Sequence, residues 1–159
     1  MTAHTLPRSL VQQLERASVS YYELINHPRT TTAAAEARVL GLGARQVAKT
    51  VVLMTPEDFV RAVLPASERL DLGKVRTVLD TNDVELATED VLAGAYPEFE
   101  LGAVPPLTGG DGDRVLVDRR LCENEWVVLE AGTHEQSLRL RTADLVGRCN
   151  AQLVDLSQD

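Results

Sequence analysis

The stretch that decides the fold is VAKTVVLM, at residues 47–54. It is rich in β-branched residues and bounded by turn formers, which is typical of a β-strand. Side chains alternate along a strand, and both faces of this one are mostly apolar, as in the central strand of a sheet. The stretch therefore predicts a buried strand that is interrupted by a single charge, Lys49.

Lys49 needs a polar destination, because burying an unpaired ammonium costs several kcal/mol or forces the amine to lose its proton. Three outcomes are open from the residues alone. The side chain lies at the edge of the strand, extends its head group to solvent, or points into a polar cavity.

The segments around this strand predict a mixture of helices and strands. Residues 59–64 are the expected hairpin partner, and Thr32, Asp71 and Thr88 are expected to begin helices. Further helices are predicted at 6–17 and 142–149, and further strands near Tyr22 and Leu24, at 115–117, 126–130 and 137–140, and near Leu153.

The order of these elements follows no strict βαβ rhythm, and neither a dinucleotide-binding G-x-G-x-x-G nor a P-loop is present. We therefore predict an α/β protein of the α+β type. It is expected to be a single compact domain over residues 1–159, with a core at about 10–154 and a mixed, largely antiparallel sheet surrounded by helices.

The composition is that of an ordinary globular protein, with 44% hydrophobic and 25% charged residues among 159. No apolar run approaches the roughly 20 residues of a membrane span, and the N-terminus lacks the layout of a signal peptide. A cytoplasmic location is expected. Cys122 and Cys149 form no C-x-x-C pair, and only three histidines accompany them, so neither a metal site nor a cofactor is expected.

The net charge of −8 argues against an autonomous nucleic-acid binder, because such binding depends on neutralising phosphates with lysine and arginine. A nucleic-acid partner would be held through a local basic patch or presented by another protein. The candidate basic patch is the arginine cluster of the C-terminal third, at Arg119, Arg120, Arg139, Arg141 and Arg148.

Two loops are candidates for a site. The segment GAVPPLTGG, at 102–110, is neither a regular helix nor a central strand, and its leading glycine allows the backbone to approach a ligand; the alternative is a surface connection. His134 lies between two predicted strands, where it binds or positions a substrate or is an exposed turn residue. We interpret residues 111–113, DGD, as a plain turn.

Taken in order, five motifs resemble the YbaK/prolyl-tRNA-synthetase-associated family over roughly residues 10–154. They are His27-Pro28 before a threonine-capped alanine-rich helix, VAKTVVL, GAVPPL, VVLEAGTH and LRL. The resemblance implies a compact α/β domain with a pocket formed by the strand lysine and the glycine-to-proline loop. It also implies hydrolysis of the ester that links a wrong amino acid to tRNA.

The family pattern also implies a set of site residues. Lys49 falls on the functional lysine, and Thr108 stands where many members have glycine directly after the loop. The expected substrate-binding residues are Thr50, Gly102, Pro106, Gly132, His134 and Ser137.

No pattern typical of an enzyme-borne nucleophile is evident. The resemblance implies that the substrate supplies or activates the nucleophile, with Lys49 as an electrostatic anchor for a phosphate or the ester carbonyl. No acid–base partner is expected near Lys49. Alanine or cysteine on a proline tRNA is the leading substrate, a synthetase such as prolyl-tRNA synthetase is a candidate partner, and a monomer is expected.

Two other functions remain open. The chain would be a non-catalytic binding module that kept the fold, or a regulatory domain acting through a partner protein, which the acidic charge favours.

Overall fold

The computed structural model describes residues 7–19, 21–107, 113–148 and 151–159. Within these ranges the α-helices are α1 (Arg8–Arg16), α2 (Ala33–Val39), α3 (Leu72–Leu79), α4 (Glu89–Ala95) and α5 (Thr142–Gly147). The strands are β1 (Glu23–Asn26), β2 (Val47–Met54), β3 (Phe59–Pro65), β4 (Glu85–Leu86), β5 (Arg114–Asp118), β6 (Trp126–Glu130), β7 (Gln136–Arg141) and β8 (Gln152–Val154).

All eight strands join one sheet, in the order β1-β7-β6-β2-β3-β5-β8, with β4 pairing to β2. Four of the seven strand pairings are antiparallel, and the other three, β2–β6, β3–β5 and β5–β8, are parallel. The predicted α+β class with a mixed, largely antiparallel sheet is confirmed.

The decisive stretch forms β2 over the predicted residues, and it is a central strand. It pairs with β3 along almost its whole length. Its parallel pairing with β6 covers only two positions, Val47 opposite Val128 and Ala48 opposite Leu129. Beyond Ala48 the two strands diverge, and the same edge of β2 next pairs with β4 at Leu53 and Met54, so this edge has no strand partner from Lys49 to Val52.

Apolar side chains of β2 pack on both faces of the sheet, as the unbroken apolar pattern predicts. Ala48 belongs to a cluster that includes Leu10 and Leu14 of α1. On the other face, Leu53 packs in a cluster with Val75 of α3, while Val47 shares a smaller cluster with α2. Helices therefore cover the sheet from both sides.

The three predicted helix starts are confirmed by side-chain caps. The Thr32 hydroxyl accepts from the Ala35 amide at 3.0 Å, the Asp71 carboxylate from the Lys74 amide at 3.2 Å, and the Thr88 hydroxyl from the Val91 amide at 3.3 Å. Each cap satisfies an amide that the first helical turn leaves unpaired, an effect worth about 1 kcal/mol.

Two details differ from the sequence prediction. Glu85 and Leu86 form β4, a two-residue strand that the sequence did not predict and that pairs with the end of β2. So short a strand carries no alternating pattern to detect. The last helix ends at Gly147, and Cys149 lies outside the described residues, as does Thr108. No helix in the described part of the chain is long and apolar enough to cross a membrane.

Candidate active site

A cavity of about 230 Å³ lies where β2 and β6 diverge. Three of the residues expected at the site, Lys49, Thr50 and Gly102, lie in its wall; Pro106, Gly132, His134 and Ser137 do not. The cavity is lined by Thr31, Thr32, Ala33, Ala48, Lys49, Thr50, Gly102, Val104 and Glu130. A larger depression of about 450 Å³ lies beside α3, but it contains no residue of the expected site.

Lys49 is half-buried, and its ammonium donates a hydrogen bond to the backbone carbonyl of Glu68. Burial lowers the pKa of the amine; the nearby charge of Arg69 lowers it further, and the charge of Glu68 opposes both. The charge on the apolar strand thus has a polar destination at the cavity wall, where the edge of β2 toward β6 has no partner strand.

Gly102 begins a loop that forms part of the cavity wall. Its φ of +81° lies in the left-handed region, which glycine adopts without strain. A Cβ at this position would lie 3.5 Å from Cε1 of His134, an ordinary contact, so the backbone conformation and not space requires the glycine. The following residues, 103–107, are buried, which rules out a plain surface connection.

Arg61 of β3 anchors the proline-rich part of this loop. Its side chain is fully buried, and Nη1 donates to the carbonyls of Pro105, at 2.9 Å, and of Leu107. Nε and Nη2 each lie 3.1 Å from Oδ2 of Asp113. Sequence reasoning missed both residues of this pair. The available signal was an arginine within an apolar strand, which needs a polar destination for the same reason as Lys49.

Gly132 and His134 do not line the cavity, but they bond to the loop around Gly102. The Gly132 amide donates to the Ala103 carbonyl at 3.1 Å, and its carbonyl accepts from the Glu100 amide at 2.8 Å. Nε2 of His134 lies 2.6 Å from the Leu101 carbonyl oxygen. His134 is buried, so the alternative of an exposed turn residue is wrong.

We expect Gly132→Ala to lower the free energy of unfolding by about 1–3 kcal/mol, because an L-residue at this backbone conformation is strained. The φ of Gly132 is +94°, and an added Cβ would lie 2.8 Å from Cδ1 of Phe99. Urea denaturation measures the loss. The matched control is Gly94→Ala in α4, where nothing lies within 4 Å of an added Cβ and alanine is the better helix former. A Gly132→Ala variant as stable as this control would contradict the role of Gly132.

Ser137 lies outside the cavity wall and is fully buried. Its hydroxyl hydrogen-bonds to Oε2 of Glu36 and lies 2.8 Å from Nε2 of His27. The serine therefore links the start of the family pattern, at His27-Pro28, to helix α2.

Two largely buried carboxyl groups, Glu36 of α2 and Glu130 of the cavity wall, have raised pKa values. Burial raises the pKa of Glu36 to about 7, although the Ser137 hydroxyl opposes the shift. Burial, followed by the charges of Glu36 and Glu100, raises the pKa of Glu130 to about 8. Glu130 lines the same cavity as Lys49, which the sequence did not predict.

The raised pKa of Glu36 predicts a loss of stability as the pH rises. Between its ordinary pKa of 4.5 and about 7, the unfolded chain has released a proton that the folded protein keeps, so stability falls with increasing pH. Glu36→Gln has no such proton. Between about pH 5 and about pH 8 we expect the wild type to lose on the order of 2 kcal/mol of unfolding free energy that the variant keeps.

Urea denaturation of both proteins at the two pH values measures this difference. A parallel dependence on pH in the two proteins would contradict the assignment of the proton to Glu36.

The arginine cluster of the C-terminal third is not a free basic patch. Arg120 lies 2.9 Å from Asp155, Arg139 3.4 Å from Glu23, Arg141 3.1 Å from Glu125 and Arg148 3.0 Å from Asp144. Four of the five guanidiniums are thus paired with a carboxylate from their own surroundings, which sequence spacing does not show, while Arg119 is exposed. Among the described residues, no group of three or more His, Cys, Asp or Glu side chains could hold a metal ion.

The mixed sheet and the lysine-bearing cavity define a small α+β domain with a pocket at a strand divergence. The aminoacyl-tRNA editing domain model matches residues 27–147, most of the chain. The chain therefore belongs to the aminoacyl-tRNA editing domain family, which confirms the resemblance seen in the sequence. No curated protein sequence matches the chain.

Solved structures share the fold over nearly the whole chain. A protein described as a proposed trans-editing enzyme for prolyl tRNA synthetase is 23% identical with a TM-score of 0.85, covering 98% of this chain and 100% of its own. A protein described as hypothetical is 21% identical with a TM-score of 0.85, covering 95% and 100%. A scaffold from the computational design of grafted epitopes is 23% identical with a TM-score of 0.83, covering 97% and 99%. At these identities the likeness establishes the fold alone.

Proposed function

We propose that this protein is a trans-editing aminoacyl-tRNA deacylase that hydrolyses the ester of alanine or cysteine on proline tRNA. The observation that carries the proposal is the half-buried Lys49 in a small cavity beside the Gly102 loop, in a chain of the editing-domain family. A protein of similar fold that is described as a proposed trans-editing enzyme for prolyl tRNA synthetase supports the choice of tRNA.

Lys49 is the electrostatic anchor in this proposal. A fixed positive charge beside the ester carbonyl or the terminal phosphate stabilises the negative charge that develops as the ester is attacked. The attacking group is a water molecule that the terminal ribose hydroxyl of the substrate orients, or the side chain of the amino acid itself, and the backbone at Gly102 adds hydrogen bonds. Thr50 and Gly102 contact the substrate, while Pro106, Gly132, His134 and Ser137 hold the surrounding structure.

The size of the cavity supports selection of small aminoacyl groups. Its volume of about 230 Å³ is below the roughly 300–1,000 Å³ of typical small-molecule pockets. Editing is needed because a synthetase pocket separates side chains that differ by one methylene by only about 1–3 kcal/mol.

The tRNA needs help to bind, because the net charge is −8 and four of the five arginines of the candidate basic patch are paired with local carboxylates. We propose that a synthetase such as prolyl-tRNA synthetase presents the aminoacyl end to this protein. The protein then acts as a monomer, in the cytoplasm, where charged tRNA is made.

The test is a deacylation assay on proline tRNA charged with alanine, cysteine or the cognate proline, with and without prolyl-tRNA synthetase. We expect the alanyl or cysteinyl ester to be cleaved faster than its spontaneous rate and the prolyl ester to be spared. Binding of the charged tRNA without cleavage of any ester would instead support a non-catalytic module.

A further inference from the structure

Arg69 adds a second positive charge beside the Lys49 ammonium. The ammonium donates to the backbone carbonyl of Glu68, and Arg69 is the next residue of the chain. Burial lowers the pKa of the Lys49 amine, and the charge of Arg69 lowers it further, so the two cations interact. Arg69 is exposed and lies outside the cavity wall. One cation therefore lines the cavity, and the other extends into solvent next to it.

The backbone that carries Arg69 is held in place by the C-terminal segment. The Arg69 carbonyl accepts from the Gln158 amide at 2.8 Å, and Leu70 forms a β-bridge with Ser157. The backbone of Arg69 therefore has a fixed position relative to Lys49. Only the side chain has to be ordered when a ligand binds, which keeps the entropy cost of binding low.

The charge of Arg69 is not neutralised within the protein. In the described part of the chain its guanidinium forms neither an ion pair nor a side-chain hydrogen bond. The neighbouring carboxylate, Glu68, faces Arg120, with Oε1 3.9 Å from Nε. Glu68 raises the pKa of Lys49, but by less than Arg69 lowers it. Two cations that repel each other beside a cavity favour an anionic ligand, because the anion removes the repulsion.

The proposed substrate has an anion in a suitable place. The ester is on the ribose of the last nucleotide, and the phosphate of that nucleotide is attached to the other side of the same ribose. The cavity volume of about 230 Å³ is below the roughly 300–1,000 Å³ of small-molecule pockets. The cavity therefore takes the aminoacyl group and leaves the phosphate outside. A guanidinium matches the geometry of a phosphate, with two parallel hydrogen bonds.

We propose that Arg69 is a substrate-binding residue that holds the phosphate of the terminal nucleotide, which leaves Lys49 for the ester carbonyl. The inference rests on the proposed deacylase function and divides the two tasks that were open to the lysine. The Lys49 ammonium has three donors. The Glu68 carbonyl takes one of them, so a donor remains for the ester.

The first test measures binding of proline tRNA that carries alanine through an amide link, which is not hydrolysed. The wild type is compared with Arg69→Gln and with the control Arg114→Gln. Arg114 is exposed, lies outside the cavity wall and bonds to the neutral amide of Gln152 at 3.0 Å, so the control loses the same charge elsewhere. We expect Arg69→Gln to bind about 10-fold more weakly, the value of one charge-assisted hydrogen bond, and Arg114→Gln to bind like the wild type.

A second RNA identifies the phosphate. It carries an uncharged methylphosphonate in place of the last phosphodiester and is otherwise the same. We expect the wild type to bind it about 10-fold more weakly than the ordinary RNA. Arg69→Gln is expected to bind the two RNAs alike, because either change alone removes the same contact. A neutral linkage that weakens both proteins equally overturns the proposal, and so does a wild type that binds the two RNAs alike.

The salt dependence of binding counts the phosphate contacts. The slope of log affinity against log salt concentration is expected to be shallower by about 0.7 in Arg69→Gln, the contribution of one phosphate on a single strand. A slope equal to that of the wild type would remove Arg69 from the contact with the RNA.

Cleavage of the ordinary alanyl ester separates this inference from the function on which it rests. At saturating protein we expect Arg69→Gln to cleave at about the wild-type rate, because Lys49 keeps its contact with the ester carbonyl. A lower saturating rate with unchanged affinity would mean that Arg69 acts on Lys49 and not on the phosphate. No cleavage by the wild type contradicts the deacylase function, while the affinities for the two RNAs still decide the role of Arg69.

Discussion

Lys49→Met is expected to slow ester cleavage by about 10²–10³-fold, the loss seen when one stabilising donor is removed from an oxyanion site. Methionine keeps the apolar stem that packs along β2 but removes the charge. Lys49 is the one cation in the cavity wall, so no other described residue of that wall replaces it. Single-turnover deacylation of alanyl or cysteinyl proline tRNA measures the loss.

The chain offers a matched control in its other lysine. Lys74 is on α3, where it pairs with Asp155 and Asp159 at 3.0 and 2.9 Å, and it is not in the cavity wall. Lys74→Met is expected to cleave at the wild-type rate. Lys49→Arg, which keeps the charge on a bulkier head group, is expected to retain part of the activity. A Lys49→Met rate equal to the wild-type rate would remove the electrostatic anchor from the mechanism.

Arg61→Met is expected to lower the free energy of unfolding by about 3–5 kcal/mol, the usual cost of removing one partner from a buried ion pair. The substitution leaves Asp113 without its guanidinium partner and the carbonyls of Pro105 and Leu107 without their donor. Such a loss is a large fraction of the roughly 5–15 kcal/mol that stabilise a typical domain.

Urea denaturation of Arg61→Met measures this effect, with Arg119→Met as the control. Arg119 is exposed, and substitutions at such positions usually change stability by no more than about 0.5 kcal/mol. If the two variants were equally stable, Arg61 would not be the anchor of the loop. Because the anchored segment leads directly from Gly102, a folded Arg61→Met protein is also expected to deacylate more slowly.

Local patterns in the sequence were sufficient to predict most of the fold. The apolar run at 47–54 gave β2 with its correct bounds, and Thr32, Asp71 and Thr88 marked helix starts because their capping bonds are made within three residues. β4 was missed because its pairing with Leu53 and Met54 is a long-range contact of a two-residue segment.

The site was predictable only in part, for the same reason. Lys49 stood out because a charge on an apolar strand is a local anomaly, and Gly102 because it opens a loop with two prolines. The neighbours of these residues are distant in sequence. Arg61 bonds to the loop that follows Gly102, and Glu130 lines the same cavity as Lys49 because β2 and β6 run parallel and then diverge. No local pattern reveals such neighbours, so the place of Glu130 in the cavity wall came only from the structure.

The placement of Gly132, His134 and Ser137 illustrates the same limit. The family pattern marks these positions without distinguishing a residue that touches a ligand from one that supports the wall behind it. Here Gly132 and His134 bond to the loop at residues 100–103, and Ser137 is enclosed against Glu36.

The most direct test of the Lys49 cavity as a deacylation site is the single-turnover rate of cleavage of alanyl and cysteinyl proline tRNA by excess wild-type protein. Lys49→Met is measured beside it at the same concentration. We predict cleavage by the wild type well above the spontaneous rate and a loss of about 10²–10³-fold in the variant. If the wild type cleaves neither ester above the spontaneous rate, or if the two proteins cleave them equally fast, the Lys49 cavity is not the site of deacylation.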